Sequence, residues 1–208
     1  MVLLYSLKEL LFRIKRLIYE IIKLKYMLEI RVHGRGGQGA VTTGQILAIA
    51  AFYDNKQSQT FPMFGVERTG APVEAFVRIS KDKINIRSEI YHPDIVLVLE
   101  PSLIQAVDVT KGLKDNGTLI INTNQTKDKL GIKGNYKVYT VDATSIALKI
   151  FGKAIVNTAV LGAFAAVTKT ISLESLKKAI NERFLTTKGK LLADLNNKAI
   201  EEVYNASK

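Results

Sequence analysis

The run Gly34-Arg35-Gly36-Gly37-Gln38-Gly39 has glycines at G-x-G-x-x-G spacing, directly after the strand-like segment Leu28-Glu29-Ile30-Arg31-Val32-His33 and ahead of a helical stretch. Glycine at these positions lets a backbone turn sharply, come close to an anion and open a helix whose unpaired N–H groups face that anion. Arg35 adds a fork of guanidinium donors suited to phosphate. The same residues also suit a tight strand-to-helix turn that packs on a neighbouring subunit and touches no ligand, and both readings stay open. A second group, Phe64-Gly65-Val66-Glu67-Arg68, falls in a loop between predicted strands. An aromatic ring beside two opposite charges there serves either a subunit contact or the lining of a ligand channel.

Several other chemistries are disfavoured. A nicotinamide dinucleotide site wants an acid at the end of its second strand, about 20 residues after the glycines, to hold ribose hydroxyls. Asp54 has that distance but precedes the predicted second strand, which ends at Phe61-Pro62. A P-loop needs a lysine after its last glycine, and Ala40 follows Gly39. His33 and His92 are the only histidines, each remote from a second ligand, so no metal site is expected. Zero cysteines leave no thiolate for zinc, a disulfide or an iron–sulfur cluster. No Gly-x-Ser-x-Gly elbow supports an independent hydrolase, and no catalytic residue is assigned.

The formal charge of +11 raises the question of nucleic acid, whose binders concentrate cations together with stacking aromatics. Concentration is found only in residues 1–26, where Lys8, Arg13, Lys15, Arg16, Lys23 and Lys25 face Glu9 and Glu20, an excess of four positive charges. The remainder reads as a solvated lysine-rich surface, with no nucleic-acid partner. In the same segment Leu3, Leu7, Leu10, Ile14, Leu17, Ile21 and Leu24 recur in steps of four and three, the apolar seam of an amphipathic helix. Charges interrupt every apolar run, so neither a membrane span nor a signal peptide is read, and a cytoplasmic location is expected. The helix is a docking element for a partner subunit, a basic helix resting on a membrane surface, or translated sequence upstream of a start at Met27. A membrane partner is the less expected of these.

The elements that must position the glycine turn form an α/β fold: a Rossmann-like layered domain with a mixed sheet over 27–208, plus the N-terminal amphipathic helical extension 1–26. A β-α-β unit is predicted as strand 28–33, helix 38–53 and a short strand at 57–61. Alternation over 73–80 and again at 84–87, across the Lys81-Asp82 turn, predicts an antiparallel hairpin. The continuous apolar run 95–99 reads as a strand covered on both faces, followed by strands at 117–121 and 137–141. The helix at 158–168 carries Ala159, Gly162, Ala163 and Ala166, which permit close approach of a neighbour. Ser172 caps the next helix with Glu174 in its first turn, and a final surface helix spans about 188–205.

Four blocks in order carry a family resemblance: residues 31–41, Phe61-Pro62 through Pro72, Tyr91-His92-Pro93-Asp94-Ile95-Val96, and Val156-Asn157-Thr158 through Phe164. From Met27 onward the chain resembles the gamma subunits of the 2-oxoacid:ferredoxin oxidoreductases, most closely the pyruvate-using branch. It departs at Arg68-Thr69, where the family usually has paired arginines. The resemblance implies a complex that converts pyruvate and coenzyme A to acetyl-CoA and CO2 and reduces ferredoxin. It further implies companion α, β and δ subunits carrying thiamine diphosphate with Mg and the iron–sulfur clusters, none of them held by this chain alone. Coenzyme A is then the phosphate-bearing molecule offered to Gly34, Arg35, Gly36, Gly37, Gln38 and Gly39, with Phe64, Gly65, Glu67 and Arg68 at the interface or channel. Gamma subunits of enzymes acting on 2-ketoisovalerate, 2-oxoglutarate or indolepyruvate fit the same blocks. The alternative of another class is a free-standing Rossmann nucleotide-binding oxidoreductase.

Overall fold

A computed structural model of the chain describes residues 12–15, 17–18, 27–63 and 69–208. Six strands form one mixed sheet: β1 (Leu28–Arg35), β2 (Gln57–Pro62), β3 (Pro72–Ser80), β4 (Ile95–Val98), β5 (Thr118–Asn122) and β6 (Lys137–Val141), in the order β2-β3-β1-β4-β5-β6. β1, β4, β5 and β6 run parallel, while β3 is antiparallel to both β1 and β2. The helices are α1 (Ala40–Tyr53), the short α2 (Leu103–Ala106), α3 (Ala143–Phe151), α4 (Val156–Thr168), α5 (Leu173–Lys188) and α6 (Lys190–Ala206). Residues 12–15 and 17–18 have helical backbone, and Phe12, Leu17 and Ile18 there are exposed. The rest of the predicted apolar seam lies outside the described residues.

Strand alternation divides the core. Ile30, Val32, Val77, Ile79, Leu97 and Ile120 point to one face, where α1 and α3 to α6 close over them. Val96, Val98, Leu119 and Ile121 point to the other, covered by Leu103, Val109 and Leu113 from the connecting segments. Along β1 and β3 this second face is charged yet closed to solvent: Arg31, His33 and Arg78 are all buried. Arg78 donates to the Glu29 carboxylate at 3.0 Å and to the Glu89 carbonyl at 3.2 Å, which satisfies a guanidinium that burial would otherwise penalise.

Two expectations change. Residues 84–87 form no strand, so the predicted hairpin does not exist. Its first arm, β3, has both edges occupied by β2 and β1, leaving no hydrogen-bonding edge for a third partner. The β-α-β unit is present but split, because β3 inserts between β1 and β2 and pushes the second strand to the sheet edge. The small residues of α4 do admit a neighbour: a side chain at Gly162 would overlap the Ile200 carbonyl of α6 and approach the Tyr204 nitrogen to 2.7 Å.

Candidate functional site

The glycine turn sits at the carboxyl end of β1, beside the carboxyl ends of β4 and β5, where ligands of open parallel sheets bind. Gly36 is not the turning residue. Its N–H donates to the Ala71 carbonyl at 2.8 Å and its carbonyl accepts from Gly70 at 3.1 Å, extending the β1–β3 ladder by one step. The left-handed residues are Gly37 (φ 90°) and Gly39 (φ 84°), conformations that disfavour any side chain. Gly39 also meets a space limit: a Cβ there would overlap the Asn157 amide nitrogen and lie 3.1 Å from Asn157 Cγ. Gly34 packs closely as well, its would-be Cβ lying 3.1 Å from Ala40 Cβ.

Side chains close a ring around this turn. Gln38 accepts from the Arg35 backbone N–H at 2.9 Å and donates to Glu100 at 3.2 Å. Glu100 accepts from the Ser102 N–H at 3.3 Å, and the Ser102 hydroxyl accepts from Arg35 at 2.8 Å. Arg35 also donates to the Gly70 carbonyl at 3.0 Å, tying Gly70 to the end of β1. This ring needs no ligand to stand. Among the described residues three of the five Arg35 N–H groups are used, and two have no partner there.

Gln38 and Glu100 of this ring also line a crevice of about 300 Å³, bounded further by Gly37, Asn122, Thr144, Ile155 and Asn157. Asn122 is fully engaged, donating to the Leu99 carbonyl and Thr144 while accepting from the Thr144 N–H. The Asn157 amide oxygen accepts from Thr158 N–H at 3.0 Å within the first turn of α4, whose cap position, Ile155, makes no side-chain cap bond, and its amide nitrogen faces the glycine turn. Among the described residues the wall carries one carboxylate and no cation. It is suited to neutral amide, hydroxyl or aliphatic groups, and the cationic Arg35 does not line it.

Asp54 has a different task from ribose binding. It stands at the far end of α1, where its carboxylate accepts from Ser172 N–H, Ser172 hydroxyl and Ser175 hydroxyl. Burial raises its pKa, but these hydrogen bonds and Lys56 outweigh that and hold it below the usual carboxylate value. Ser172 caps α5 as expected, accepting from Ser175 N–H, with Glu174 in the first turn. Phe64, Gly65, Glu67 and Arg68 lie outside the described residues.

Sequence reasoning missed a buried polar chain under the turn. Arg31 Nε donates to His33 Nε2 at 3.0 Å, and its Nη2 reaches the Val109 and Lys111 carbonyls. That donation fixes the imidazole proton on Nδ1, which faces a Glu74 oxygen at 3.5 Å. Burial, reinforced by the Arg31 charge, drives the His33 pKa down to about 3, so the ring is neutral. Burial likewise raises the Glu74 pKa, with Arg31 opposing. The only available signal was a charged alternation, Glu29-Arg31-His33, within an apolar strand.

Fold and site thus define an α/β domain with a crevice at the switch between β1 and β4. The pyruvate ferredoxin/flavodoxin oxidoreductase family model matches residues 29–206. The pyruvate synthase subunit PorC of Methanocaldococcus jannaschii is 57% identical over 179 residues, covering 86% of this chain and 96% of that protein. The pyruvate/ketoisovalerate oxidoreductases common subunit gamma of Thermococcus kodakarensis is 53% identical, with the same coverage of both chains. The crystal structure of the pyruvate oxidoreductase subunit PORC from Thermotoga maritima superposes with a TM-score of 0.75 at 36% identity, over 86% of this chain and 96% of that one. The chain belongs to the pyruvate ferredoxin/flavodoxin oxidoreductase family, as a gamma subunit of a 2-oxoacid:ferredoxin oxidoreductase complex.

Proposed function

We propose that this chain is the gamma component of a pyruvate:ferredoxin oxidoreductase, with companion α, β and δ subunits, and that its glycine turn and adjoining loop face coenzyme A. The reaction joins the acetyl group of pyruvate to the coenzyme A sulfur, releases CO2 and passes two electrons to ferredoxin. Thiamine diphosphate supplies the carbanion chemistry and iron–sulfur clusters carry the electrons. Those clusters require thiolates, and a chain with zero cysteines has none to give, which supports placing them on companion chains. No helix among the described residues is long and apolar enough to cross a membrane.

The observation that carries the coenzyme A reading is the Arg35 guanidinium, fixed at the mouth of the turn with two donors unused among the described residues. Beside it, the N–H groups of Gly37, Gly39 and Ala40 have no backbone partner among the described residues. Arg35 also holds Gly70 and Ser102, so the test pairs two variants in the assembled complex. Arg35→Ala should raise KM for coenzyme A about five- to hundredfold, the range for a lost charge-assisted hydrogen bond, with the KM for pyruvate unmoved. Ser102→Ala, which removes a tie and keeps the charge, should have a much smaller effect. An unchanged KM for coenzyme A in Arg35→Ala would make the turn purely structural.

A second reading concerns breadth. The relative from T. kodakarensis is named as common to pyruvate and ketoisovalerate enzymes, which supports a gamma chain that does not choose the 2-oxoacid. Reconstitution with alternative companion subunits should then change the accepted 2-oxoacid while the KM for coenzyme A stays constant.

A further inference from the structure

Residues 1–26 lie outside the family match, which begins at residue 29, so nothing the family shares explains them. Their apolar seam keeps a strict seven-residue repeat. With Leu3, Leu10, Leu17 and Leu24 at heptad position d, Leu7, Ile14 and Ile21 fall at position a. Position e adds Leu4, Leu11 and Ile18 to one side of the seam. A straight helix drifts about 20° per heptad away from such a repeat, and a second helix wound around it keeps the seam in contact. The chain's own domain leaves the seam uncovered where the structure describes it. Residues 12–15 and 17–18 are helical, yet Ile14 at position a is 44% exposed and Leu17 at position d is 61% exposed.

We propose that the extension joins two copies of this chain through a parallel, two-stranded coiled coil. Residue choice selects this occupant. Isoleucine at a with leucine at d favours two parallel strands, and here d is leucine throughout while two of the three a positions are isoleucine. The flanks are self-compatible as well. In a parallel pair, position g of one helix faces position e of the next heptad in the other, which sets Glu20 against Lys25 of the second copy, and two-fold symmetry makes this contact twice. Arg13 falls opposite Ile18, where its aliphatic stem covers apolar surface, and Ser6 falls opposite Leu11. No flanking contact opposes like charges. The other cations, Lys8, Lys15, Arg16 and Lys23, take positions b and c, turned away from the second helix. An anionic membrane surface would accept these charges but imposes no seven-residue register. The extension joins β1 at the amino end of the sheet, opposite the glycine turn, so pairing there leaves the turn open to companion subunits.

The test uses the full chain, whose zero cysteines make any introduced thiol unique. Sedimentation should give the mass of a dimer, and the chain starting at Met27 that of a monomer. Leu17→Cys should form a disulfide-linked dimer in oxidised glutathione, because parallel strands in register bring residue 17 against its own copy. Phe12→Cys, at the outward position f, should not. Glu20→Lys and Lys25→Glu should each weaken self-association about three- to thirtyfold, and mixing the two variants should restore it, since every flanking pair then has opposite charges. A monomeric full chain overturns the proposal, as does a trimer or larger assembly, or a dimer that persists without residues 1–26. A monomer that sediments with phosphatidylserine vesicles assigns the seam to a membrane, and one that binds only a companion subunit assigns it there; either result overturns self-pairing. An absent Leu17→Cys cross-link, or a charge mixture that fails to recover, overturns the parallel register. None of these measurements involves catalysis, so the coenzyme A reading stands or falls separately.

Discussion

Gly39→Ala tests whether the turn is shaped by its own backbone or by Asn157, which is distant in sequence. Residue 39 has φ 84° and ψ 28°, where an L side chain costs about 1 to 2 kcal/mol. The new methyl also overlaps the Asn157 amide nitrogen, so that side chain must swing away and lose its bond to Thr158 N–H. The lost bond and the displaced rotamer add about 1 to 2 kcal/mol. The total, about 2 to 4 kcal/mol, corresponds to a fall in melting temperature of roughly 5 to 15 °C for a domain of this size. Asn157→Ala removes the amide and leaves a Cβ 3.2 Å from the new methyl, a tight but tolerable contact. The double variant should therefore regain about 1 to 2 kcal/mol, leaving the backbone cost in place. Thermal unfolding of the wild type, both single variants and the double variant completes the cycle. Simple additivity would refute the claim that Asn157 sets the space at residue 39.

Acid should destabilise the domain through His33. The unfolded imidazole takes a proton below about 6.5 while the folded one waits until about 3, so stability is lost as pH falls through that window, by about 2 kcal/mol at pH 5. Glu74, whose folded pKa is raised, acts in the opposite sense near the lower end, and His33→Gln should flatten the slope measured by denaturant titration between pH 7 and 5. Gly162→Ala forces α4 away from the α6 backbone and should lower stability by about 1 to 3 kcal/mol, whereas Ala166→Gly should not reproduce that steric effect. Removing residues 1–25 should leave the domain's unfolding free energy within about 0.5 kcal/mol, because β1 begins at Leu28 and Phe12, Leu17 and Ile18 face solvent. A truncated chain that fails to fold would assign the extension to the core.

Local periodicity and composition determined much of this protein by themselves. The apolar runs at 95–99 and 117–121 became the buried β4 and β5, the serine at 172 became a helix cap, and the glycines between β1 and α1 became the turn. Each of these depends on neighbours a few residues away, so a linear reading reaches it. Zero cysteines likewise excluded thiolate-held clusters without any structure. Pairing was different. Alternation in 73–80 marked a strand but not its partners, since hydrogen-bonding edges carry no side-chain label, and β3 went between β1 and β2 instead of joining 84–87. Only the tertiary structure brought Asn157 over Gly39, turned Asp54 into a clamp on α5, and buried Arg31 and His33 under a segment some 80 residues distant in sequence. Those roles arise from contacts between residues far apart in the chain, and a side chain's charge state and free space are properties of what surrounds it.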